Sequence, residues 1–304
     1  MLARLQQLIS LAWLGALLLW AGWTGASGFG VAQAVVLVLL LAGHALFLGY
    51  EFVLIHHVNR ADPAPRPGVG QLLRAWLAES LAAPRVFLWR QPWRSATPAD
   101  HLPADAQGRT GVLLVHGFVC NRGLWRPWLL RLRRRGVPFV AVNLEPVFGS
   151  IDDTAPRIEA AVRQLHAATG LPPVAVAHSM GGLALRCWRA AAPGHAARLA
   201  AALTLGTPHH GTWLARWAFS TNGRQMRRGG AWLAALQAAE ARHGVADHHG
   251  FTCFYSHCDN IVFPASTATL AGARNVHLAG VPHVEMAEHP APWAELCRQL
   301  GVEP

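Results

Sequence analysis

Two long apolar runs open the chain. Leu5 to Trp23 is apolar apart from Gln6, Gln7 and Ser10, and Val31 to Tyr50 is nearly unbroken. Each is long enough to cross, as a helix, a hydrocarbon layer about 30 Å thick. The uncharged stretch Thr24 to Gly30 joins them, so the pair reads as a transmembrane hairpin with both ends on one side. A cleaved signal peptide is the competing reading of the first run, because Arg4 precedes it and Gly25-Ala26-Ser27-Gly28 offers small residues for cleavage. The run's length, its bulky Trp20 and Trp23, and the second run behind it favour the hairpin.

A connector containing Pro and Arg, Asn59 to Gly70, leads to the amphipathic stretch Gln71 to Leu81, with Leu72, Leu73, Trp76 and Leu77 on one side. Such a helix lies along a membrane surface or packs on the main domain, and the pattern does not choose. Gln91 to Arg109 reads as irregular. From Thr110 short apolar strands alternate with helical periodicity. Strands are expected at Gly111–Val115, Phe139–Asn143, Val174–Ala177, Ala202–Leu205, Phe251–Ser256 and Val276–Leu278, and helices at Trp125–Arg135, Thr154–Thr169, Met180–Ala192 and Ala291–Leu300. Strands that are continuously apolar and separated by helices imply an α/β fold, a mostly parallel sheet covered on both faces. Ligand sites in such sheets lie beyond the carboxyl ends of the strands.

Three regions follow: a membrane-anchoring hairpin over 1–58, a connector with an amphipathic helix over 59–109, and an α/β domain over 110–304. The alternation breaks at about 211–250, where Trp213, Leu214, Trp217, Phe219, Met226, Trp232, Leu233 and Leu236 are either core or a helical cap over the site. The place of this insertion in the chain favours the cap, whose Trp213 and Trp217 would line a substrate pocket.

Charge sharpens this picture. The net charge of +10 comes entirely from arginine, since the chain has no lysine. Arg60, Arg66 and Arg74 follow the second apolar run and Arg4 precedes the first, which by the positive-inside tendency puts both flanks, and the α/β domain, in the cytoplasm. The densest group, Arg131, Arg133, Arg134 and Arg135, ends a predicted helix, where cations are favourable without any ligand. No reading motif accompanies the arginines, so anionic lipid headgroups are the expected partner and nucleic acid is not. Five cysteines at irregular spacings make no disulfide framework. The His209-His210 and Asp247-His248-His249 groups lack a close ligand spacing, so no metal or other cofactor is expected.

Ala177-His178-Ser179-Met180-Gly181-Gly182 sets one serine on a sharp turn between a strand and a helix, where its hydroxyl projects from the sheet edge. A serine hydroxyl needs a base to take its proton and an acid to hold that base in the right tautomer. Asp259 follows the predicted strand Phe251–Ser256, and His283 follows Val276–Leu278, giving the order nucleophile, acid, base. Two backbone N–H groups should face the oxyanion: that of Met180 at a helix N-terminus, and one after the first core strand in Val115-His116-Gly117-Phe118, for which Phe118 is chosen. Gly117 permits close approach, Thr207 shapes the pocket edge, and His116 orders its own loop. Asp152 and Asp153 are assigned to capping the helix that follows them.

These motifs, with Leu205-Gly206-Thr207-Pro208-His209-His210-Gly211-Thr212, Ser256-His257-Cys258-Asp259-Asn260-Ile261-Val262-Phe263-Pro264 and Gly280-Val281-Pro282-His283, resemble those of bacterial triacylglycerol lipases and esterases of the α/β-hydrolase superfamily. The resemblance runs from Thr110 to Leu300. It implies hydrolysis of a lipid or other hydrophobic ester through an acyl-enzyme on Ser179, and with the two apolar runs it implies a bacterial inner-membrane location. The same triad serves amidases, thioesterases and acyltransferases, and the fold also serves lipid-binding proteins without catalysis. Residues 1–50 are expected to act as an anchor only, dispensable for chemistry on soluble esters.

Overall fold

The computed structural model describes residues 1–303. The two apolar runs form helices α1 (Leu2–Ser27) and α2 (Val31–Val58), which pack as an antiparallel hairpin. Their tryptophans satisfy the indole N–H within the pair: Trp13 donates to the Leu40 carbonyl and Trp20 to that of Gln33, both at 2.8 Å. Most other hairpin side chains, among them Leu8, Leu18, Leu19 and Leu39, stand exposed. At 28 residues α2 is about 42 Å long, some 12 Å more than a hydrocarbon layer needs. The surplus of about two turns is used elsewhere: Phe52 and Ile55 are buried with Ala75, Cys258 and Phe263 in a small core between α2 and the main body.

The amphipathic stretch extends further than its pattern suggested. Helix α3 (Val69–Pro84) passes through a wide π-type segment, Arg85–Arg90, into the last turn α4 (Gln91–Arg94), so the region expected to be irregular from Gln91 is helical at its start. The helix packs on the body along one face and leaves an apolar stripe on the other. Ala75, Glu79 and Ala82 are buried, while Val69, Leu73, Leu77 and Leu81 form an exposed stripe at four-residue spacing.

The main body is a six-stranded all-parallel sheet, β1 (Val112–Val115), β2 (Phe139–Ala141), β3 (Val174–His178), β4 (Ala201–Leu205), β5 (Phe251–Tyr255) and β6 (Arg274–His277), in the order β2-β1-β3-β4-β5-β6. Helices α5 (Arg126–Arg134), α6 (Ala155–Thr169), α7 (Met180–Ala191), α8 (Thr221–Gln225), α9 (Ala231–Arg242) and α10 (Pro290–Leu300) complete it. Alternate residues of one strand feed two cores. Leu113 and Val115 pack with α6 and α7, whereas Val112 and Leu114 pack with α5 and α10. Arg131 and Arg135 of the basic cluster lie over the Trp293 ring at 5.2 and 5.3 Å. The chain steps outward in one direction from β1 to β2 and in the other from β3 to β6, so the loops leaving β1 and β3 diverge and open a crevice between them.

The insertion belongs partly to the core. Met226, Leu233 and Leu236 are buried in the main cluster, while Trp217 and Phe219 are exposed. Its tie to the body is an ion pair: Arg186 of α7 forks onto Glu240 of α9 at 2.9 and 2.7 Å, and His248 lies 3.3 Å from the same carboxylate. Burial raises the Glu240 carboxyl, but Arg186 and His248 outweigh it and hold the pKa at about 2. A second tie corrects the capping role assigned to Asp152. Its carboxylate accepts from Trp232 Nε1 at 2.8 Å and Gln225 Nε2 at 3.1 Å, and the N-cap of α6, Thr154, makes no side-chain cap.

Removing one partner of the buried pair strands the other. Arg186→Met should cost about 3–5 kcal/mol, and the double variant Arg186→Met/Glu240→Leu should recover most of it, read as thermal unfolding midpoints in detergent.

Candidate active site

Ser179 sits between β3 and α7 with φ 55° and ψ −130°, and its N–H donates to the Leu205 carbonyl at 2.8 Å. Small neighbours make this turn possible. A Cβ at Gly181 would stand 2.5 Å from the His116 carbonyl oxygen, and one at Gly182 would collide with Thr207. A Cβ at Gly117 would lie 2.7 Å from that of Ser179, so glycine lets the loop after β1 lie directly against the serine. Val119, next along that loop, has φ 52°. Ser179 and Val119 are the non-glycine residues of positive φ among the described residues, and both line one cavity. Backbone strain concentrated in this way marks functional sites.

Asp259, on the loop beyond the carboxyl end of β5, accepts three hydrogen bonds. One oxygen receives the N–H groups of Ile261 and Val262 at 2.9 and 2.8 Å, and the other receives His283 Nδ1 at 2.9 Å. Gly206 makes room, since a Cβ there would come within 2.7 Å of the Asp259 carboxylate and 3.0 Å of His283 Nδ1. His283 is fixed on its other sides as well. Its N–H donates to Asn260 Oδ1 at 3.3 Å, and its carbonyl accepts from His178 Nε2 at 3.0 Å while the two rings pack 4.6 Å apart. With Nδ1 occupied, Nε2 is the free ring nitrogen. Ser179 and His283 line the same cavity of about 190 Å³, and no hydrogen bond joins them among the described residues. Such contacts commonly tighten only when substrate binds.

Burial acts differently on the three histidines here. His116 is driven down to about 4 and His178 to about 3, in both chiefly by desolvation, so both are neutral. Burial also pulls on His283, but the charge and hydrogen bond of Asp259, with Glu79 and Glu51 further off, leave its pKa above the ordinary imidazole value. His116 orders its own loop as expected, with Nδ1 2.9 Å from the Gly117 carbonyl and Nε2 accepting the Leu144 N–H at 3.0 Å.

Two carboxylates missed in the sequence hold the histidine loop. Glu79 of α3 accepts the N–H groups of Val284 at 2.9 Å and Glu285 at 3.3 Å, and burial lifts its pKa to about 7. Glu51 of α2 accepts from Asn260 Nδ2 at 2.7 Å, so Asn260 links the apolar hairpin to the His283 backbone. A single glutamate in a long apolar helix was the available signal.

Solved structures share this architecture. The mature form of Bacillus licheniformis lipase BlEst2 superposes with a TM-score of 0.57 at 16% identity, covering 65% of this chain and 95% of that one. Aspergillus fumigatus lipase B does so with a TM-score of 0.56 at 20% identity, over 68% of this chain and 61% of that one. The chain has the α/β-hydrolase fold. No protein-family model and no curated protein matches the sequence.

Within this α/β-hydrolase fold His178 and Ser179 of the strand-to-helix turn, together with Phe118 and His283, line the 190 Å³ cavity, and the Met180 N–H lies at the start of α7 beside Ser179. Of the residues expected to meet substrate, Gly117 lies against Ser179 and Trp217 lines a groove of about 570 Å³ next to the cavity. The other two are corrected. Thr207 is fully buried under α7 against Gly182, and Trp213 is turned away to stack on Phe263. The hairpin is also more than an anchor. Leu48 and Glu51 of α2 line the serine cavity and Phe47, Tyr50 and Leu54 line the groove, so deleting residues 1–50 would unroof the site.

Asp259→Asn removes the nearest group that lifts His283 and leaves burial opposed only by the more distant Glu79 and Glu51. In histidine-labelled protein followed by NMR, His283 should titrate above about 6.5 in the native chain and below it in the variant. Glu79→Leu leaves two buried N–H groups unpaired and should cost about 1–3 kcal/mol per group, whereas Glu79→Gln should cost less, compared by thermal unfolding.

Proposed function

We propose that this protein is a membrane-anchored serine hydrolase of hydrophobic carboxylic esters. The observation that carries the reading is the oriented pair Asp259–His283, at 2.9 Å, facing the strained Ser179 in one apolar cavity at the sheet's switch point. His283 Nε2 takes the hydroxyl proton as Ser179 Oγ attacks the ester carbonyl. Asp259 keeps the proton of the imidazole on Nδ1 and stabilises the imidazolium that forms. The N–H groups of Phe118 and Met180 receive the developing oxyanion, the latter helped by the N-terminus of α7. His283 then returns the proton to the leaving alcohol, and a water activated by the same nitrogen releases the acid.

Fixing α1 and α2 in a bilayer satisfies the exposed apolar side chains of the hairpin, and their polar backbone is already paired within the helices. By the positive-inside tendency, Arg4, Arg60, Arg66 and Arg74 support a hydrolase body on the cytoplasmic side of a bacterial inner membrane, with anionic headgroups as neighbours. The apolar lining around Ser179 supports a hydrophobic acyl group, and the likeness to solved lipases favours an ester over the amide, thioester or acyl-transfer alternatives.

A fluorophosphonate should label Ser179, and Ser179→Ala should lower ester turnover by at least about 10⁴-fold without unfolding the protein; near-native turnover by that variant would refute the assignment. Because the base must be neutral, kcat/KM should rise with pH through a single step lying above about 6.5, following the raised pKa of His283. For orientation, a green fluorescent protein fused after the last residue should fluoresce and an alkaline phosphatase fused there should be inactive.

A further inference from the structure

Helix α2 lies across the mouth of the site and divides it. On its α3 side is the serine cavity of about 190 Å³, reached past Leu48, Ala83 and Phe87. On its cap side is the groove of about 570 Å³, walled by Phe47, Tyr50 and Leu54 of α2 and by Leu214, Trp217 and Met226 of the insertion. Glu51, Phe118 and Ile261 border both, so the groove ends at the residue assigned to the oxyanion. Its outer rim is apolar and open: Phe47, Tyr50, Trp217 and Phe219 are all exposed, Phe219 at 91%. The same portion of α2 runs beside α3, where Trp76 donates to the Ala45 carbonyl at 2.6 Å and the Leu73, Leu77 and Leu81 stripe is exposed.

An open apolar rim on three elements, one of them the continuation of a membrane-crossing helix, is unfavourable in water and matched to the edge of a bilayer. We infer that the groove between α2 and the insertion is an acyl-chain channel opening sideways into the membrane, and that the substrate is a long-chain ester dissolved in the bilayer. This rests on the serine-hydrolase reading above. The chain leaves the lipid between Phe47 and Trp217 and passes along Leu54 and Met226, and its carbonyl arrives at Phe118 and Ser179 without crossing water. Burial of each methylene in such a channel contributes about 0.8 kcal/mol, which favours long acyl groups and leaves short ones indifferent to it.

The test uses the full chain in phospholipid nanodiscs. In Ser179→Ala protein, a dioleoylglycerol analogue with a diazirine in its acyl chain should crosslink on irradiation to the segments 47–54 and 214–226, and filling the groove by Ala218→Trp should remove that labelling. In otherwise native protein, Ala218→Trp and Leu54→Trp should each lower the ratio of kcat/KM for oleoyl over acetyl p-nitrophenyl esters by about tenfold or more. Crosslinks confined to the lipid-facing residues 8–46, or an unchanged ratio in both variants, would overturn the channel. Loss of the hydrolase reading has a separate signature: no fluorophosphonate labelling of Ser179 while the groove crosslinks persist.

Discussion

The hydrogen bond between Asp259 and His283 is the contact around which the rest of the site is arranged. A buried imidazole facing a buried carboxylate is stable only if its surroundings supply further hydrogen bonds, and here they hold both the carboxylate and the histidine backbone. The backbone of Ile261 and Val262 fixes the acid, and Asn260 and His178 hold the histidine backbone at its N–H and its carbonyl. Glu79 then grips the two residues beyond. Gly206 contributes by absence of a side chain, since any Cβ would enter the space between acid and base. The outcome is a base whose charged form is favoured while its neighbours His116 and His178 are kept neutral by burial.

That shell reaches into elements that elsewhere look like accessories. Glu79 comes from the amphipathic helix α3 and Glu51, through Asn260, from the apolar helix α2. The position of the histidine therefore depends on how the hairpin docks, because two of its supports are carried on helices that pack against each other and against the body. The insertion is anchored by comparable means. Arg186 and Glu240 fix α9 to the helix that follows the serine, and Asp152 gathers Trp232 and Gln225. The large apolar side chains of Trp217 and Phe219 remain exposed, and Trp217 lines the groove.

Much of this was legible along the chain. Alternation of short apolar strands with helical periodicity located every strand of the sheet to within a few residues, because both faces are covered and each strand is apolar throughout. The strand at the edge, β6, was caught only at its end, since Arg274 and Asn275 are exposed and break the apolar run. The serine turn and the nearness of Asp259 to His283 were legible for a local reason: each residue lies on the turn or loop that follows a strand, and small residues flank the serine where the backbone must turn sharply.

What the chain by itself determined, then, is the set of elements, the parallel sheet, the apolar hairpin and the places of Ser179, Asp259 and His283 on the turn and loops after β3, β5 and β6. These follow from periodicity and from steric demands satisfied within a few residues. The tertiary structure alone decided which polar side chains act on which. Glu51 and Glu79 lie more than two hundred residues before the loop they support, Thr207 and Trp213 turn away from the cavity, and the last turns of α2 roof the site. Contacts between segments so far apart carry no local signature, because a buried carboxylate is specified by the groups that surround it and not by its neighbours in the chain.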